Sequence, residues 1–227
     1  MPIKKRFSAG NIALYLITAL LFCTLIFAFS CSSPQAKTPL QPQDIEPPST
    51  TQTPGISDTS SSPPGLSSWI ADAKITENEY SHTASYDNGN YEISWASDDE
   101  YIYVFIRART QGFVSLGIQP DTTMKQADII FGTVENGKAV VLDEFSTNAF
   151  GPHKPDIDFK GGVSNITEYA GSESEGFTII EFRRKLDTGD DFDHPVVTGI
   201  NKIIWAYGSS DDPNVKHISR GYGELEL

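Results

Sequence analysis

The chain has 227 residues, with 30 acidic and 17 basic side chains and a formal net charge of −13. A protein this acidic is repelled by a phosphate backbone, which excludes nucleic acid as a partner. Its two cysteines, Cys23 and Cys31, both lie near the N-terminus. The rest of the chain therefore has neither a disulfide framework nor a thiolate metal site.

Residues 1–31 are predicted to direct export and to anchor the protein to a membrane. Basic residues 4–6 precede an almost wholly apolar run at 12–29, which is the pattern of a signal peptide. Two interpretations remain open. Either Cys31 is the acylated anchor of a lipoprotein and the apolar run is removed, or the run stays as a single membrane-spanning helix. In both cases the basic residues favour an orientation with the remaining chain outside the cytoplasm, on the cell surface or the periplasmic face of the membrane.

Residues 32–68 are predicted to form a disordered stalk. The segment consists mainly of Pro, Ser, Thr, Gln and Gly, with hardly any large apolar residue. Such a composition cannot bury enough apolar surface to offset the entropy lost on ordering.

Residues 69–227 are predicted to form one all-β domain, an immunoglobulin-like antiparallel β-sandwich. Short runs of β-branched and aromatic residues alternate there with Gly, Asn and Asp, and Asn88-Gly89 and Asn136-Gly137 are typical of hairpin turns. Many short strands at this spacing indicate a sandwich or barrel. The predicted strands are Tyr91–Trp95, Tyr101–Ala108, Phe113–Ile118, Asp128–Val134, Ala139–Phe145, Ile166–Tyr169, Phe177–Arg183, Lys202–Tyr207 and Tyr222–Leu227.

The predicted domain shows no signature of catalysis. None of its four histidines belongs to an HExxH motif, no serine lies in GxSxG, and no glycine-rich phosphate loop is present. The paired aspartates 98–99, 190–191 and 211–212 lie in predicted turns, where Asp usually caps the backbone. We therefore predict that the protein is not an enzyme.

Met124 and His217 are the candidate ligands of a cofactor. Met124 is the only methionine besides the initiator and precedes a predicted strand, and His217 precedes the last one. Taken singly, Met124 fits a gap-filling role at the edge of a core and His217 fits a surface loop. Together they supply the thioether and imidazole that axially ligate haem iron in cytochromes.

The stretch from Glu79 to Gly223 resembles the DOMON domain, a sandwich module of extracellular redox proteins. The resemblance is carried by Glu79-Tyr80-Ser81-His82, Tyr91-Glu92-Ile93-Ser94-Trp95, Gly112-Phe113-Val114-Ser115-Leu116-Gly117, Met124-Lys125-Gln126-Ala127-Asp128-Ile129-Ile130, Ile204-Trp205-Ala206-Tyr207-Gly208 and His217 before Arg220-Gly221. It implies that Met124 and His217 ligate a b-type haem, whose saturated iron passes electrons and does not activate a substrate. Some members of the family are thought to bind sugars or to act only as interaction modules.

Other residues are secondary candidates for the same site. The aromatic residues Trp95, Phe113, Phe131, Phe150 and Trp205 are available as apolar walls for a haem held at one end of the sandwich, although core packing explains most such residues. His153, in a proline-bounded loop, is the first substitute if His217 is not the ligand. His82 precedes a turn region and is the other competing histidine.

The sequence thus predicts a membrane-anchored, extracytoplasmic haem b domain that transfers electrons. Its predicted partners are redox proteins or a membrane cytochrome on another chain. The alternative is a haem-free module that binds a sugar or a protein at the cell surface.

Overall fold

The computed structural model describes Leu66 and residues 69–227, which belong to one unit, Gly55–Leu227. The predicted anchor with Cys31, and all of the predicted stalk except Leu66, lie outside the described residues. Within the described part of the chain, no helix is long and apolar enough to cross a lipid bilayer.

The described residues form two antiparallel sheets that pack face to face. The first sheet has the strand order β1-β2-β3-β9-β8 and the second has the order β11-β10-β4-β5-β6-β7. This architecture confirms the predicted antiparallel β-sandwich. The strands are β1 (His82–Tyr86), β2 (Tyr91–Ser97), β3 (Tyr101–Ala108), β4 (Val114–Ile118), β5 (Asp128–Glu135), β6 (Lys138–Phe145), β7 (Lys154–Pro155), β8 (Glu168–Ser174), β9 (Phe177–Lys185), β10 (Ile200–Tyr207) and β11 (Ser219–Glu226).

The main core lies between the sheets because apolar side chains occupy alternate positions of each strand. Ile93 and Phe182 of the first sheet and Leu116 and Leu225 of the second are completely buried there. A second apolar cluster lies on the opposite, outer face of the second sheet. It consists of Phe113, Ala127, Ile129 and Phe131, with Met124, Leu142 and Ile204 packed against them.

Both predicted hairpins form. In the β5–β6 hairpin, Glu135 pairs with Lys138, and Asn136 and Gly137 have φ values of 53° and 74°. Two successive positive φ angles define the type I′ turn, whose twist matches that of the strands. The Asn88-Gly89 hairpin joins β1 to β2, with Tyr86 paired to Tyr91.

The structure differs from the predicted strands in three places. From the sequence, His82 was expected to precede a turn, but in the structure His82 is the first residue of strand β1. This edge strand consists mostly of polar residues, so its sequence shows no clear alternation of apolar and polar positions. The two-residue strand β7 is also unpredicted. The strand predicted at Ile166–Tyr169 runs instead from Glu168 to Ser174. Both β7 and β8 lie at sheet edges, where one side of the strand has no partner and the apolar pattern weakens.

The segment before β1 is attached to the first sheet through Glu181 of β9. One carboxylate oxygen of Glu181 accepts hydrogen bonds from the backbone N–H groups of Asp72 and Ala73, each at 2.7 Å. The other accepts a hydrogen bond from the Tyr80 hydroxyl at 2.6 Å. Tyr80 in turn accepts one from the indole N–H of Trp69 at 3.1 Å. Burial is the main cause of the raised pKa of Glu181.

Tyr80→Phe is expected to lower the free energy of unfolding by about 2 kcal/mol. The substitution removes a hydrogen bond to a buried carboxylate while keeping the ring, and bonds to charged groups are worth about 1.5–3 kcal/mol. Urea denaturation followed by tryptophan fluorescence measures the change. Tyr222→Phe is the control because Tyr222 is 65% exposed, and it should leave the midpoint unchanged. Equal effects of the two substitutions would contradict this role of Glu181.

Candidate functional site

The outer face of the second sheet has small side chains in its centre and larger apolar ones around them. Strand pairing aligns Leu142, Phe131, Ser115 and Ala206 in one row across the sheet, and Glu144, Ile129, Gly117 and Ile204 in the next. These side chains point outward because the intervening residues, such as Leu116, Ile130 and Trp205, belong to the core between the sheets. An apolar face of this kind is the surface that a flat, hydrophobic ligand requires.

Met124 lies against this face, in the loop that joins β4 to β5. The loop is held by hydrogen bonds from the Thr123 hydroxyl to the Ala149 carbonyl and from the Ala127 N–H to the Met124 carbonyl, the latter at 3.1 Å. The half-buried thioether side chain packs on the cluster that contains Phe131. Its methyl carbon is 3.8 Å from the position that a Cβ atom would take at Gly151.

His217 lies in the loop that joins β10 to β11, next to Ile218, whose N–H donates to the Tyr207 carbonyl at 2.9 Å. Its side chain is half-buried. Burial, followed by the positive charge of Arg220, lowers the pKa of His217, and the charges of Lys216 and His153 act in the same direction. The imidazole is therefore neutral near pH 7, which is the form that binds metal ions.

His153 also lies on the outer face of the second sheet. Its ring centroid is 5.7 Å from that of Phe131, and its Nδ1 atom is hydrogen-bonded to the carboxylate of Glu144, which is only 2% exposed. A carboxylate on one ring nitrogen fixes the orientation of the imidazole and leaves the other nitrogen available.

The two candidate ligands lie in loops at opposite ends of the second sheet. The loop of Met124 leaves the sheet at the end where Ile118 pairs with Asp128, and the loop of His217 leaves it at the opposite end, where Val114 pairs with Tyr207. Met124 nevertheless approaches Gly151, and His217 experiences the charge of His153. Both of these relations involve the segment 151–153, whereas the sequence suggested a haem at one end of the sandwich.

The aromatic residues considered from the sequence divide between the two faces. Trp95 and Trp205 belong to the core between the sheets and therefore do not line the outer face. Phe113 and Phe131 do line it, with ring centroids 4.6 Å apart. Phe150 is 83% exposed in the loop beside Gly151. His82 is remote from this face, on the edge strand β1 of the other sheet, where its ring stacks on Trp95.

Comparison with protein families identifies the fold. A family model described as "DOMON domain" matches residues 87–208, more than half of the chain. The chain belongs to the DOMON domain family. The matched range includes Met124 and His153 and ends before His217.

The DOMON domain is also similar to parts of larger proteins. It is 33% identical over 153 residues to "DBH-like monooxygenase protein 1" of Homo sapiens, a match that covers 65% of this chain and 24% of that protein. It is 30% identical over 128 residues to "MOXD1 homolog 2" of Drosophila melanogaster, covering 56% of this chain and 16% of that protein. The matched part of this chain thus spans about a quarter or less of the length of these curated relatives.

Two solved structures are similar to the DOMON domain at low sequence identity. The cytochrome b domain of pyranose dehydrogenase from Coprinopsis cinerea matches with a TM-score of 0.47 and 13% identity, covering 63% of this chain and 80% of that one. The cytochrome domain of Myriococcum thermophilum cellobiose dehydrogenase matches with a TM-score of 0.47 and 15% identity, covering 69% and 85%.

The donor chemistry on the outer face of the DOMON domain fits a haem. Met124 offers a thioether and His217 an imidazole, and these two donor types would suit the iron of a haem. Phe113, Phe131 and Ile129 supply an apolar environment around small central residues. Sequence reasoning missed Glu144 as the partner of His153, since a polar residue at an outward strand position is normally solvated.

Proposed function

We propose that this DOMON domain binds a b-type haem through Met124 and His217 and transfers electrons outside the cytoplasm. The observation that supports the proposal is that Met124 packs on the apolar outer face of the second sheet, where His153 also lies, and that the charge of His153 acts on His217. The haem, when bound, supplies a one-electron carrier.

The chain's own residues would hold and shield this carrier. Met124 and His217 donate to the iron, and a thioether ligand raises the reduction potential relative to two histidines. Phe113 and Phe131 exclude water from the face, and Glu144 holds His153 in one orientation beside His217. A site with both axial positions filled by protein favours electron transfer over activation of oxygen or a substrate. The DOMON domain would then act without catalysing a reaction itself, although its relatives are named monooxygenases.

The proposed location follows from the N-terminal sequence. A lipid on Cys31, or an uncleaved helix at 12–29, would tether the domain, and the stalk at 32–68 would let it reach several partners. Tethering raises the effective concentration of the domain near other membrane proteins. The proposed partners are therefore redox proteins or a membrane cytochrome on another chain.

Met124→Leu and His217→Ala are expected to change the haem spectrum of the full-length protein in different ways. Produced with haem supplied and extracted in detergent, the unmodified protein should show a Soret band that shifts on reduction with dithionite. Met124→Leu keeps the apolar volume but removes the thioether, so the six-coordinate low-spin spectrum should be lost. His217→Ala should lower the haem content at least about tenfold, because the imidazole is the stronger donor.

His82→Ala and His153→Ala are the controls for this experiment. His82 lies on the other sheet, so its removal should leave the spectrum unchanged. His153→Ala should keep a low-spin haem, with at most a modest shift in potential. If His153→Ala loses the haem while His217→Ala retains it, His153 is the ligand. A protein without any Soret band would rule out the proposed function.

One observation favours a second function, the binding of a polar ligand such as a sugar. A cleft of about 640 Å³ lies on the outer face of the first sheet, away from Met124 and His217, and it is lined by hydroxyl groups and by Arg107, Glu92 and Phe105. Arg107 pairs with Glu92 at 3.0 Å, and its guanidinium carbon is 3.4 Å from the centre of the Phe177 ring. A glycan array probed with the haem-free protein tests this function. Binding that is lost in Arg107→Ala would support it, and no binding to any glycan would rule out a sugar ligand.

A further inference from the structure

Four aspartates from four separate parts of the chain are buried together at the inner side of the second sheet. Asp128 begins β5, Asp143 lies on β6, Asp156 lies in a single helical turn after β7, and Asp193 lies in the connection between β9 and β10. None of the four is more than 7% exposed. One carboxylate oxygen from each of Asp128, Asp143 and Asp193 lies within 4.8 Å of the others. Burial, followed by the negative charges of Asp143 and Asp193, raises the pKa of Asp156, which is not one of these three ligand candidates.

Some carboxylate oxygens of this cluster accept hydrogen bonds from within the protein. Oδ2 of Asp128 accepts hydrogen bonds from the Arg184 guanidinium and from the His194 N–H, the latter at 3.0 Å. Oδ2 of Asp143 accepts one from the Asn165 N–H at 2.6 Å. These contacts fix the positions of the carboxylates.

Five of the eight carboxylate oxygens of the four aspartates have no hydrogen-bond partner among the described residues. Oδ1 of Asp128, Asp143 and Asp193 and both carboxylate oxygens of Asp156 are buried without a hydrogen-bond donor. A buried polar group without a partner costs about 1–3 kcal/mol, and a charged one costs more. A cation held between Asp128, Asp143 and Asp193 would supply the partner that their buried oxygens lack.

The protein supplies only part of the balancing charge. Arg184 of β9 is fully buried and contacts Asp128, and its Nη1 is 3.9 Å from Asp193. One guanidinium thus faces four carboxylates, with Asp190 adding negative charge from the same connection. Burial and the neighbouring carboxylates raise the pKa of Asp143 to about 7, that of Asp156 to about 8 and that of Asp193 to about 6.

We propose that this cluster is a structural binding site for one divalent cation of the calcium type, with one carboxylate oxygen each of Asp128, Asp143 and Asp193 as ligands. Calcium takes oxygen ligands at about 2.3–2.6 Å, so two oxygens on opposite sides of the ion are at most about 5.2 Å apart. The 4.8 Å spacing of the three oxygens satisfies this limit. Ligands made only of oxygen disfavour zinc, and magnesium dehydrates too reluctantly for a site without exposed surface.

This site is separate from the proposed haem site. Asp128 and Asp143 face the interior of the sandwich, in phase with Ile130 and Val141 of the core, whereas Met124 packs on the outer face. The ion would join β5 and β6 to the connection that carries Asp193. The inference therefore stands whether or not the DOMON domain binds haem.

Calcium binding is tested on the full-length protein after dialysis against EDTA. Addition of calcium at about 1 mM, the range in which extracellular calcium modules bind, is expected to raise Tm by about 5 °C or more. Equilibrium dialysis with ⁴⁵Ca should give about one bound ion per chain. Magnesium at the same concentration should have a much smaller effect, and sodium chloride of matched ionic strength should have none.

Aspartate-to-asparagine variants identify the ligands. Asp143→Asn and Asp193→Asn should lose at least about tenfold in calcium affinity, since each removes one charged ligand. Asp191→Asn is the matched control, because it makes the same charge change at an exposed residue two positions from Asp193, and it should bind calcium normally. If a ligand variant does not fold, the dialysis of the unmodified protein decides. Less than about 0.2 bound calcium per chain, an equal response to magnesium, or full binding by both ligand variants would overturn the proposal.

Discussion

Replacing Arg184 with methionine is expected to lower the free energy of unfolding by about 3–5 kcal/mol in calcium-free buffer at pH 7. Arg184 is completely buried and is the group that directly balances Asp128. Its Nη2 also donates to the His194 carbonyl. Methionine keeps much of the volume but leaves the aspartates without a cation, which is the most costly way to disrupt a buried ion pair.

Arg183→Met is the matched control for this prediction. Arg183 is the preceding residue of the same strand, but it points outward and pairs with Glu168 at 2.7 Å, with both side chains about one third exposed. Exposed pairs of this kind contribute about 0–1 kcal/mol. Urea denaturation of both variants measures the difference. If the two variants differ by less than about 1 kcal/mol, Arg184 does not have the electrostatic role assigned to it. Calcium should restore part of the stability lost in Arg184→Met.

In the presence of EDTA, the protein is expected to be more stable at pH 5 than at pH 8, by at least about 2 kcal/mol. The pKa values of Asp143, Asp156 and Asp193 are raised to about 7, 8 and 6, from an ordinary value of 3.8. The folded protein therefore holds protons that the unfolded chain releases near pH 4. Stability then falls as the pH rises from about 4 to about 8, since the unfolded state binds fewer protons throughout this interval. Raising the pKa of one carboxyl group by 1 corresponds to about 1.4 kcal/mol at most, and water entering the cluster lowers this value.

Other groups change this pH profile only slightly. The raised pKa of Glu181 acts in the same direction as those of the aspartates. The lowered pKa of His217 acts in the opposite direction near pH 6, but this side chain is half-exposed. Asp98 has a lowered pKa, so its contribution is lost only below about pH 4.

Chemical denaturation at a series of pH values measures this profile. Asp156→Asn should flatten it, because asparagine cannot titrate and its amide supplies donors to the cluster. Saturating calcium should flatten it as well, since the ion replaces the protons at high pH. A stability that stays constant or increases from pH 5 to pH 8 in EDTA would contradict the prediction.

The sandwich could be predicted because the pattern of apolar residues within most of the strands is local and can be recognised without knowledge of the tertiary structure. Nearly continuous runs of apolar and aromatic residues in Tyr101–Ala108 and Asp128–Val134 predict strands from short-range sequence alone. The Asn136-Gly137 dipeptide predicts its hairpin because these two residues tolerate positive φ. Where the local pattern is weak, as in the polar edge strands β1 and β8, prediction failed or shifted by several residues.

The candidate haem ligands were visible in the sequence for a chemical reason. Met124 is the only methionine besides the initiator. Together with His217 it occupies the ligand positions that the resemblance to the DOMON domain implies. The fold added what the sequence lacks, namely that the two residues lie in loops at opposite ends of the second sheet and that Met124 packs on its outer face. The structure also shows that Trp95 and Trp205 belong to the core between the sheets, because their positions in the strands direct both rings inward.

The acidic cluster shows the limit of sequence reasoning most clearly. Asp128 is in phase with the inward residues of its strand, and Asp143 is in phase with those of the next, so each alone indicates a buried carboxylate. Local sequence cannot show that Asp156 and Asp193 meet them, or that Arg184 faces inward while Arg183 does not contact the cluster. Strand periodicity determines the face on which a side chain lies, whereas the pairing of distant strands determines what lies opposite it. The sequence was therefore enough to predict the architecture and the candidate ligands. The buried cluster of aspartates could not be predicted, because it forms only when distant parts of the chain pack together.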